Sequence, residues 1–463
     1  MQNKKFFLLA LITVIRFSSF AQVQTVIGLK LAIDSALHYY PELKSKQYQV
    51  ASANVSVTDA EDQELPSLKI SDQVDLGTDN GVGGSYFPMG MIPSTSGGIR
   101  ADNIANAFSG NIGVAYLEHE IYNFGLNGAR VRSANSLVNF SKADYEESSY
   151  LLQFHLAQLY FELLRFRLLV TIQQRNIDRY RVLYNYIKAY TSSGIRPSVD
   201  SSIAKAEVSE ATIQYIQTKE TFDKLKKEFI YYTGLTMNDF EIDTTIYYLP
   251  EARIDQLKDD ISSDSVNNSN PVIAYYNNRW EYSLSQENLI EKSYLPKLYL
   301  VGSAWARGSS ISPKDTFGNL STGLDYGRYN YMVGLALTYN IVDLVHQSDK
   351  SAIQHYQSES LREDALQQQS LLENQLQQAD IAIAAAIARE KEIPLQLKAT
   401  QDAFAQKSAQ YNAGLANITE LTEASYLLYK SETDEVEASS ALLNTLLQKS
   451  VTNNTLNTFL ANF

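Results

Sequence analysis

The sequence predicts an α+β chain built by internal duplication, in which very long helices follow pairs of amphipathic strands. Three observations carry this. Landmark residues recur at a near-constant offset, glycine and proline are missing from long stretches, and short segments alternate with period two.

The duplication shows first in the prolines. Pro41 and Pro66 are matched 230 residues later by Pro271 and Pro296. Tyr122-Asn123-Phe124 is matched by Tyr339-Asn340-Ile341 at an offset of 217. Gly194 and Gly414 stand 220 apart, each followed six positions later by an acid, Asp200 and Glu420. Four landmarks in one order argue for two copies of one unit, with the offset drifting where loops differ in length.

Each copy reads as helix, two strands, one very long helix and one moderately long helix. Neither glycine nor proline lies between Gly128 and Gly194, nor between Pro197 and Gly234. Between Gly334 and Gly414 there is no glycine, and Pro394 is the only proline after Pro313. The helix ending at Gly194 could run about 100 Å at 1.5 Å per residue, a length that signals coiled coil. The apolar stripe agrees. Leu152, Leu156, Leu159, Leu163, Phe166 and Val170 are spaced by fours and threes, as are Leu372, Leu376, Ala379, Ile383 and Ala386. Pro394 should kink its helix, because it removes a backbone donor and clashes with the preceding turn.

The strands alternate. Tyr331, Val333, Leu335, Leu337, Tyr339 and Ile341 share one face, against Met332, Gly334, Ala336, Thr338 and Asn340 on the other. Leu68, Ile70, Val74 and Leu76 alternate with Lys69, Ser71, Gln73 and Asp75. A lipid-facing strand has this pattern. Strands are expected at about 66–78, 109–123, 296–308 and 328–342, with long glycine- and proline-rich loops at 78–108 and 308–328. The organisation expected is a first repeat over 22–234, a joining segment over 235–268 and a second repeat over 269–463.

Residues 1–21 read as a secretory signal peptide: Lys4 and Lys5, an apolar run from Phe6 to Ile15, and Ser19-Phe20-Ala21 before the cut. The leader holds Lys4, Lys5 and Arg16 and no acid, so its removal takes the formal net charge from −13 to −16. Such acidity excludes nucleic acid as a partner. There is no cysteine, hence no disulfide, thiolate metal site or cysteine nucleophile. No segment has the roughly 18–20 apolar residues of a membrane helix, so a membrane crossing would have to be a closed β-barrel. Four strands cannot close one, since the smallest use about eight. If the strands face lipid, the chain must oligomerise.

In this order of features the chain resembles the TolC family of outer-membrane efflux proteins over essentially its whole mature length. The residues that carry the resemblance are the doubled prolines, the strand-to-helix exit Tyr122-Asn123-Phe124-Gly125, and the turns Tyr411-Asn412-Ala413-Gly414 and Tyr190-Thr191-Ser192-Ser193-Gly194. The resemblance implies an α+β membrane protein of the cell outer membrane. Three protomers would give four strands each to one twelve-stranded barrel, continuous with a long periplasmic α-helical coiled-coil barrel. It implies a homotrimer set in outer-membrane lipid that meets a periplasmic adaptor (membrane fusion) protein and an inner-membrane pump, in drug efflux or type I secretion.

It also implies a periplasmic gate just past the helix-turn tips Gly194 and Gly414. Glu420 and Glu423 would form two inward acidic rings, and their spacing of three puts both on one helix face. Tyr411 and Asp200 would tie the closed tip together. The arginine that the family places two residues past the second glycine is Ala416 here, while Arg196 stands at the equivalent place in the first repeat.

No catalytic constellation accompanies these features. His38, His119, His155, His346 and His355 form no paired helical metal motif. Gly81-Val82-Gly83-Gly84 lacks the lysine of a phosphate loop. No cofactor and no enzyme activity is expected. Terminal Phe463 stands in a segment that does not alternate, so no barrel-assembly role is read into it. The competing reading is a periplasmic coiled-coil adaptor or scaffold without a barrel, which would have one helical hairpin and no duplicated strands.

Overall fold

The computed structural model describes residues 25–83, 99–195, 197–235, 240–262 and 269–463. The leader, part of the first loop and Arg196 lie outside the described residues. In chain order the elements are β1 (Thr25–Ile27), α1 (Leu29–Tyr39), α2 (Pro41–Asp62), β2 (Ser67–Gly77), β3 (Phe108–Tyr122), α3 (Leu126–Ser192), α4 (Ser198–Thr233), β4 (Phe240–Ile242), α5 (Glu251–Asp260), α6 (Pro271–Ser293), β5 (Lys297–Ser309), β6 (Arg328–Thr338), α7 (Asp343–Asn412), α8 (Ile418–Thr452) and α9 (Leu456–Leu460), with 3-10 turns at Thr244–Ile246 and Leu320–Leu324. The series α2-β2-β3-α3-α4 is thus matched by α6-β5-β6-α7-α8. Pro41 and Pro271 each open a helix, where a missing N–H costs nothing. No described helix is long and apolar enough to cross a membrane.

Contacts divide the chain into two compact units that cut across the repeats. One comprises residues 1–41, 149–267 and 372–463, the other 42–148 and 268–371, so the division falls within α3 and α7.

The second unit holds a four-stranded antiparallel sheet in the order β2-β3-β5-β6. β2 and β3 pair along the full length of β2, as do β5 and β6 from Lys297↔Thr338 to Arg307↔Arg328. β3 and β5 join the two hairpins, with a bulge between Glu120 and Tyr122. β3 leaves the sheet through two consecutive left-handed residues, Phe124 (φ 53) and Gly125 (φ 87), after which α3 begins. Nearby, α2 is tied to α3 by Lys46–Asp144 at 2.6 Å, and Phe140 stacks on Tyr282 of α6. Ser283 and Ser358 share a buried hydrogen bond of 2.8 Å between α6 and α7.

At the loop end, residues 310–327 fold over one face of the sheet. Ser109 Oγ donates to the Leu320 carbonyl, Asn111 Nδ2 to the Leu324 carbonyl at 3.0 Å, and Tyr326 Oη to Asp72 at 2.8 Å. A Cβ at Gly308 would strike the Asp325 carbonyl, so only glycine lets the loop lie that close. Arg100 reaches across from the other loop, with two hydrogen bonds to Asp315 (2.8 and 2.6 Å) and its guanidinium 5.3 Å from the centre of the Phe317 ring.

The first unit is helical, with a two-stranded parallel sheet of β1 and β4 that the periodicity of the sequence does not reveal. Buried tyrosines fasten it. Tyr160, Tyr150 and Tyr247 donate to the carbonyls of Ile27 (3.1 Å), Val451 (2.8 Å) and Val436 (2.8 Å). Burial pushes all three phenols far above their ordinary range. Phe463 packs edge-on against Phe161, which gives the terminal aromatic a place in this core.

The expected stripes meet different outcomes. On α7, Leu372, Leu376, Ala379, Ile383 and Ala386 are all buried. On α3 the stripe holds from Leu152 to Leu163, but Phe166 and Val170 are only part-buried. The buried line continues instead through Leu169, Ile172, Ile177 and Tyr180. Phe166 lies under the Arg165 guanidinium, 4.7 Å away, rather than in the core. The α7 helix runs through Pro394 without ending.

Candidate functional site

The sheet has two chemically distinct faces, which the strand register defines. Leu68, Ile70, Val74 and Leu76 of β2 share a face with Ala115 and Leu117 of β3, Leu298, Leu300, Ala304 and Ala306 of β5, and Tyr329, Tyr331, Val333, Leu335 and Leu337 of β6. The side chains from β2 and β6 on this face are largely exposed. The opposite face carries Ser67, Lys69, Ser71, Gln73 and Asp75 on β2, Glu118 and Glu120 on β3, Ser303 and Arg307 on β5, and Arg328, Asn330 and Thr338 on β6. Ile112, Val114, Tyr116, Val301, Trp305 and Met332 interrupt its polarity, and Asp72, Ser109, Asn111 and His119 interrupt the apolar face, where the 310–327 loop covers Asp72, Ser109 and Asn111. At its helix end Glu120 sits 3.9 Å from both Arg130 and Lys297 and accepts from Tyr299 Oη at 3.3 Å. One apolar and one polar face make a wall between lipid and water. The sheet is not closed within the chain, because β2 and β6 are both edge strands.

The helical tips form the second candidate region. Gly194 (φ 72) and Gly414 (φ 78) are left-handed. Gly414 N donates to the Tyr411 carbonyl (3.0 Å) and Leu415 N to that of Gln410 (2.8 Å). Gly194 N and Ile195 N donate likewise to Thr191 (3.1 Å) and Tyr190 (3.0 Å). Both are Schellman caps, which satisfy the last helical carbonyls and require a residue at ease with positive φ. The apolar residue after each glycine is exposed, Ile195 to 65% and Leu415 to 79%.

Behind the turns, Ile187, Ala204, Tyr411, Ala416, Ile418 and Leu421 form one buried cluster. Tyr411 is 1% exposed and Ala416 7%, so the place where the family resemblance puts an arginine is packed with apolar neighbours. Asp200 is buried in the first turn of α4. Glu423 is exposed. Glu420 is not a free carboxylate. Lys407 Nζ lies 2.7 Å from it, and Asn417 Nδ2 donates to it at 3.0 Å while Asn417 Oδ1 accepts from Glu420 N at 2.9 Å. Asn417 and Glu420 thus form a reciprocal helix cap. The Lys407 hydrogen bond and charge hold the Glu420 carboxyl below its usual range.

Neither Lys407 nor Asn417 emerges from the sequence reading. Asn417, three residues before Glu420 and opening an apolar helix, carries a capping signal that could have been found. Lys407 lies thirteen residues away across a turn, where no periodicity points.

Farther up the same helices, burial and the neighbouring acids Glu390 and Glu432 push the Glu435 carboxyl up, opposed by Arg175. Burial likewise raises Glu390, against a hydrogen bond from Ser439. Tyr248 faces this group, and burial with the charge of Glu435 pushes it up to about 12. Arg179 takes Glu432, at 2.7 Å.

A family model described as outer membrane efflux protein matches residues 32–224 and 265–448. The chain belongs to the outer membrane efflux protein family. It is therefore an efflux channel protein of the outer membrane with a helical periplasmic portion, and the adaptor reading is set aside. No curated protein sequence matches it. Its fold is similar to the outer membrane protein VceC of Vibrio cholerae (15% identity, TM-score 0.70, covering 92% of this chain and 95% of that one). It is likewise similar to the outer membrane channel CmeC of Campylobacter jejuni (13%, 0.74, 92% and 86%) and to the open state of the outer membrane channel MtrE of Neisseria gonorrhoeae (14%, 0.67, 92% and 89%). Like these efflux-family channels, the chain pairs a small antiparallel sheet with long helices. A sheet with these faces fits a wall whose apolar side meets lipid and whose polar side lines a lumen.

Proposed function

We propose that three copies of this chain close one twelve-stranded barrel and conduct solutes from the periplasm to the exterior, handed on by an adaptor and an inner-membrane pump. The observation that carries this reading is the open sheet. An 11-residue edge strand at each side leaves backbone donors and acceptors unpaired, and lipid does not tolerate such edges. β6 of one copy meets β2 of the next in the antiparallel sense that continues the sheet. Three such joints leave no edge.

At the periplasmic tips, Glu423 supplies the charged ring of the gate, while the Lys407–Glu420 pair contributes little net charge. Tyr411 and Asp200 brace the tip from within, and Arg196 lies outside the described residues. Exposed Ile195 and Leu415, at equivalent positions of the two repeats, give the adaptor an apolar surface to dock on. The repeats at 22–234 and 269–463, with 235–268 joining them, are read as one duplicated ancestral unit, and 1–21 as a removed leader. The protein conducts and does not convert.

The test is detergent extraction of outer membranes followed by a mass measurement of the particle. A trimer is expected that gives discrete conductance steps in a planar bilayer. A stable folded monomer would overturn the reading.

A further inference from the structure

The polar face of the sheet carries two unpaired cationic side chains at its loop end. Arg307 and Arg328 are direct cross-strand partners on β5 and β6. Opposed like charges on one sheet face are destabilising, because partner Cβ atoms lie only about 4.5–5.5 Å apart. Among the described residues neither arginine makes an ion pair; Arg328 Nη1 donates only to the Gly327 carbonyl, at 3.0 Å. Residues 84–98 of the adjacent loop hold no acid, and Asp102 and Asp325, the nearby loop acids, make no ion pair among the described residues. On the same face Asp75 lies on β2, and both its oxygens accept from Gln73 Nε2 at 2.8 and 3.0 Å. The acid Asp315 is taken by Arg100.

One register step inward on this face is the pair Trp305↔Asn330. With the Asn330 amide oriented to satisfy both groups, its oxygen accepts from Trp305 Nε1 at 3.3 Å. The indole is pinned by its edge, and Val114 is its other cross-strand neighbour. Two guanidiniums with no acid of their own therefore stand beside a fixed aromatic surface. Guanidinium pairs carboxylate in a fixed fork geometry, and an indole face takes a flat apolar body.

We propose that Arg307, Arg328 and Trp305 form a subsite on the exit wall for organic anions that join a carboxylate to an aromatic body. This rests on the polar face being the lumen. The like-charge cost is then offset whenever an anion is bound. A trimer would carry three such subsites in one ring near the mouth.

The test uses the full trimer in planar bilayers of zwitterionic lipid, with 2-naphthoate as probe and acetate as the carboxylate without a ring. Naphthoate added on the loop side should reduce the conductance, and acetate at the same concentration should not. The double variant Arg307→Gln, Arg328→Gln should raise the half-blocking concentration about tenfold, since hydrogen bonds to charged groups are worth ~1.5–3 kcal/mol. Trp305→Leu should raise it about threefold. Arg328→Gln alone should raise the melting temperature, because it removes a repulsion. Asp75→Asn should leave the block unchanged.

Equal block by naphthoate and acetate, or a double variant blocked like the parent, overturns the proposal. So does a block that sharpens in Asp75→Asn, which would mean that Asp75 of a neighbouring copy already neutralises the arginines. A chain that forms no pore fails the channel reading itself; a pore indifferent to naphthoate fails only this inference.

Discussion

Replacing Leu335 by arginine, with Ala336→Arg as its partner experiment, separates the two faces of the sheet at a single depth. The residues are consecutive on β6 and point to opposite sides: Leu335 is paired with Leu300 on the apolar face and Ala336 with Tyr299 on the polar one. Leu335 lies midway in sequence between Tyr331 and Tyr339, and aromatic residues flank the apolar band of a membrane barrel. An arginine at midplane on the lipid face costs about 2–4 kcal/mol and on the lumenal side little. Three copies multiply the penalty to about 6–12 kcal/mol per trimer, a large share of the ~5–15 kcal/mol that stabilises a folded domain. The assay is the fraction of chain recovered as trimer from outer membranes, with thermal dissociation of that trimer as the second measurement. Leu335→Arg should lose most of the trimer, and Ala336→Arg should keep it with altered ion selectivity. The reverse ranking would show that the faces are assigned the wrong way round.

Other perturbations address the tips and the helical unit. Lys407→Met should strengthen cation selectivity, because Glu420 loses its counter-charge; Glu423→Gln should weaken it more than Glu420→Gln, as reversal potentials in a salt gradient will show. Because Lys407 lowers the folded-state Glu420 pKa, the stability from that pair is present above the unfolded carboxylate range. It is lost as pH falls through the folded value, so a melting-temperature profile should drop less on the acid side in Lys407→Met. Glu390 and Glu435 have the opposite sign. Their raised folded-state values make the native state lose stability as pH rises from the unfolded carboxylate range through the folded ones. Glu390→Gln should therefore raise the melting temperature at pH 7 and flatten the profile. Gly414→Ala should cost about 1–2 kcal/mol, because its left-handed φ penalises a Cβ even though nothing crowds the position; chemical denaturation measures it.

Much of the fold was legible because its punctuation is chemical. Pro41 and Pro271 open helices, Pro66 and Pro296 directly precede strands, and Gly194 and Gly414 end the long helices in a conformation few other residues accept. Period-two alternation in β6 predicted its two faces from side-chain types alone. What stayed hidden has no period. β1 and β4 are three residues each and pair across more than two hundred positions, so neither gives a repeating signal. Phe166 and Val170 continue the spacing of Leu152 to Leu163 yet stay part-buried, while the same spacing from Leu372 to Ala386 is buried throughout, so spacing alone does not say where a stripe leaves the core. At the tip, the family resemblance pointed to Glu420 as a charge, but whether that charge is free depends on Lys407, which only the hairpin brings near. Ala416 reads as a missing arginine, and its burial shows that the space is filled by neighbours instead.

The open sheet also sets how the protein can be made. The helical unit closes its own core, and Tyr150, Tyr160 and Tyr247 find their acceptors within one chain. The sheet has no such recourse. If the barrel needs three copies, as proposed, a lone protomer keeps an apolar face and two open edges until they arrive, and the rate of barrel formation rises with a power of protomer concentration rather than in proportion to it. Modest dilution in the periplasm should cut the yield of inserted pores steeply while leaving helix content unchanged. Newly exported chains that meet no companion are the ones at risk of proteolysis and off-pathway pairing.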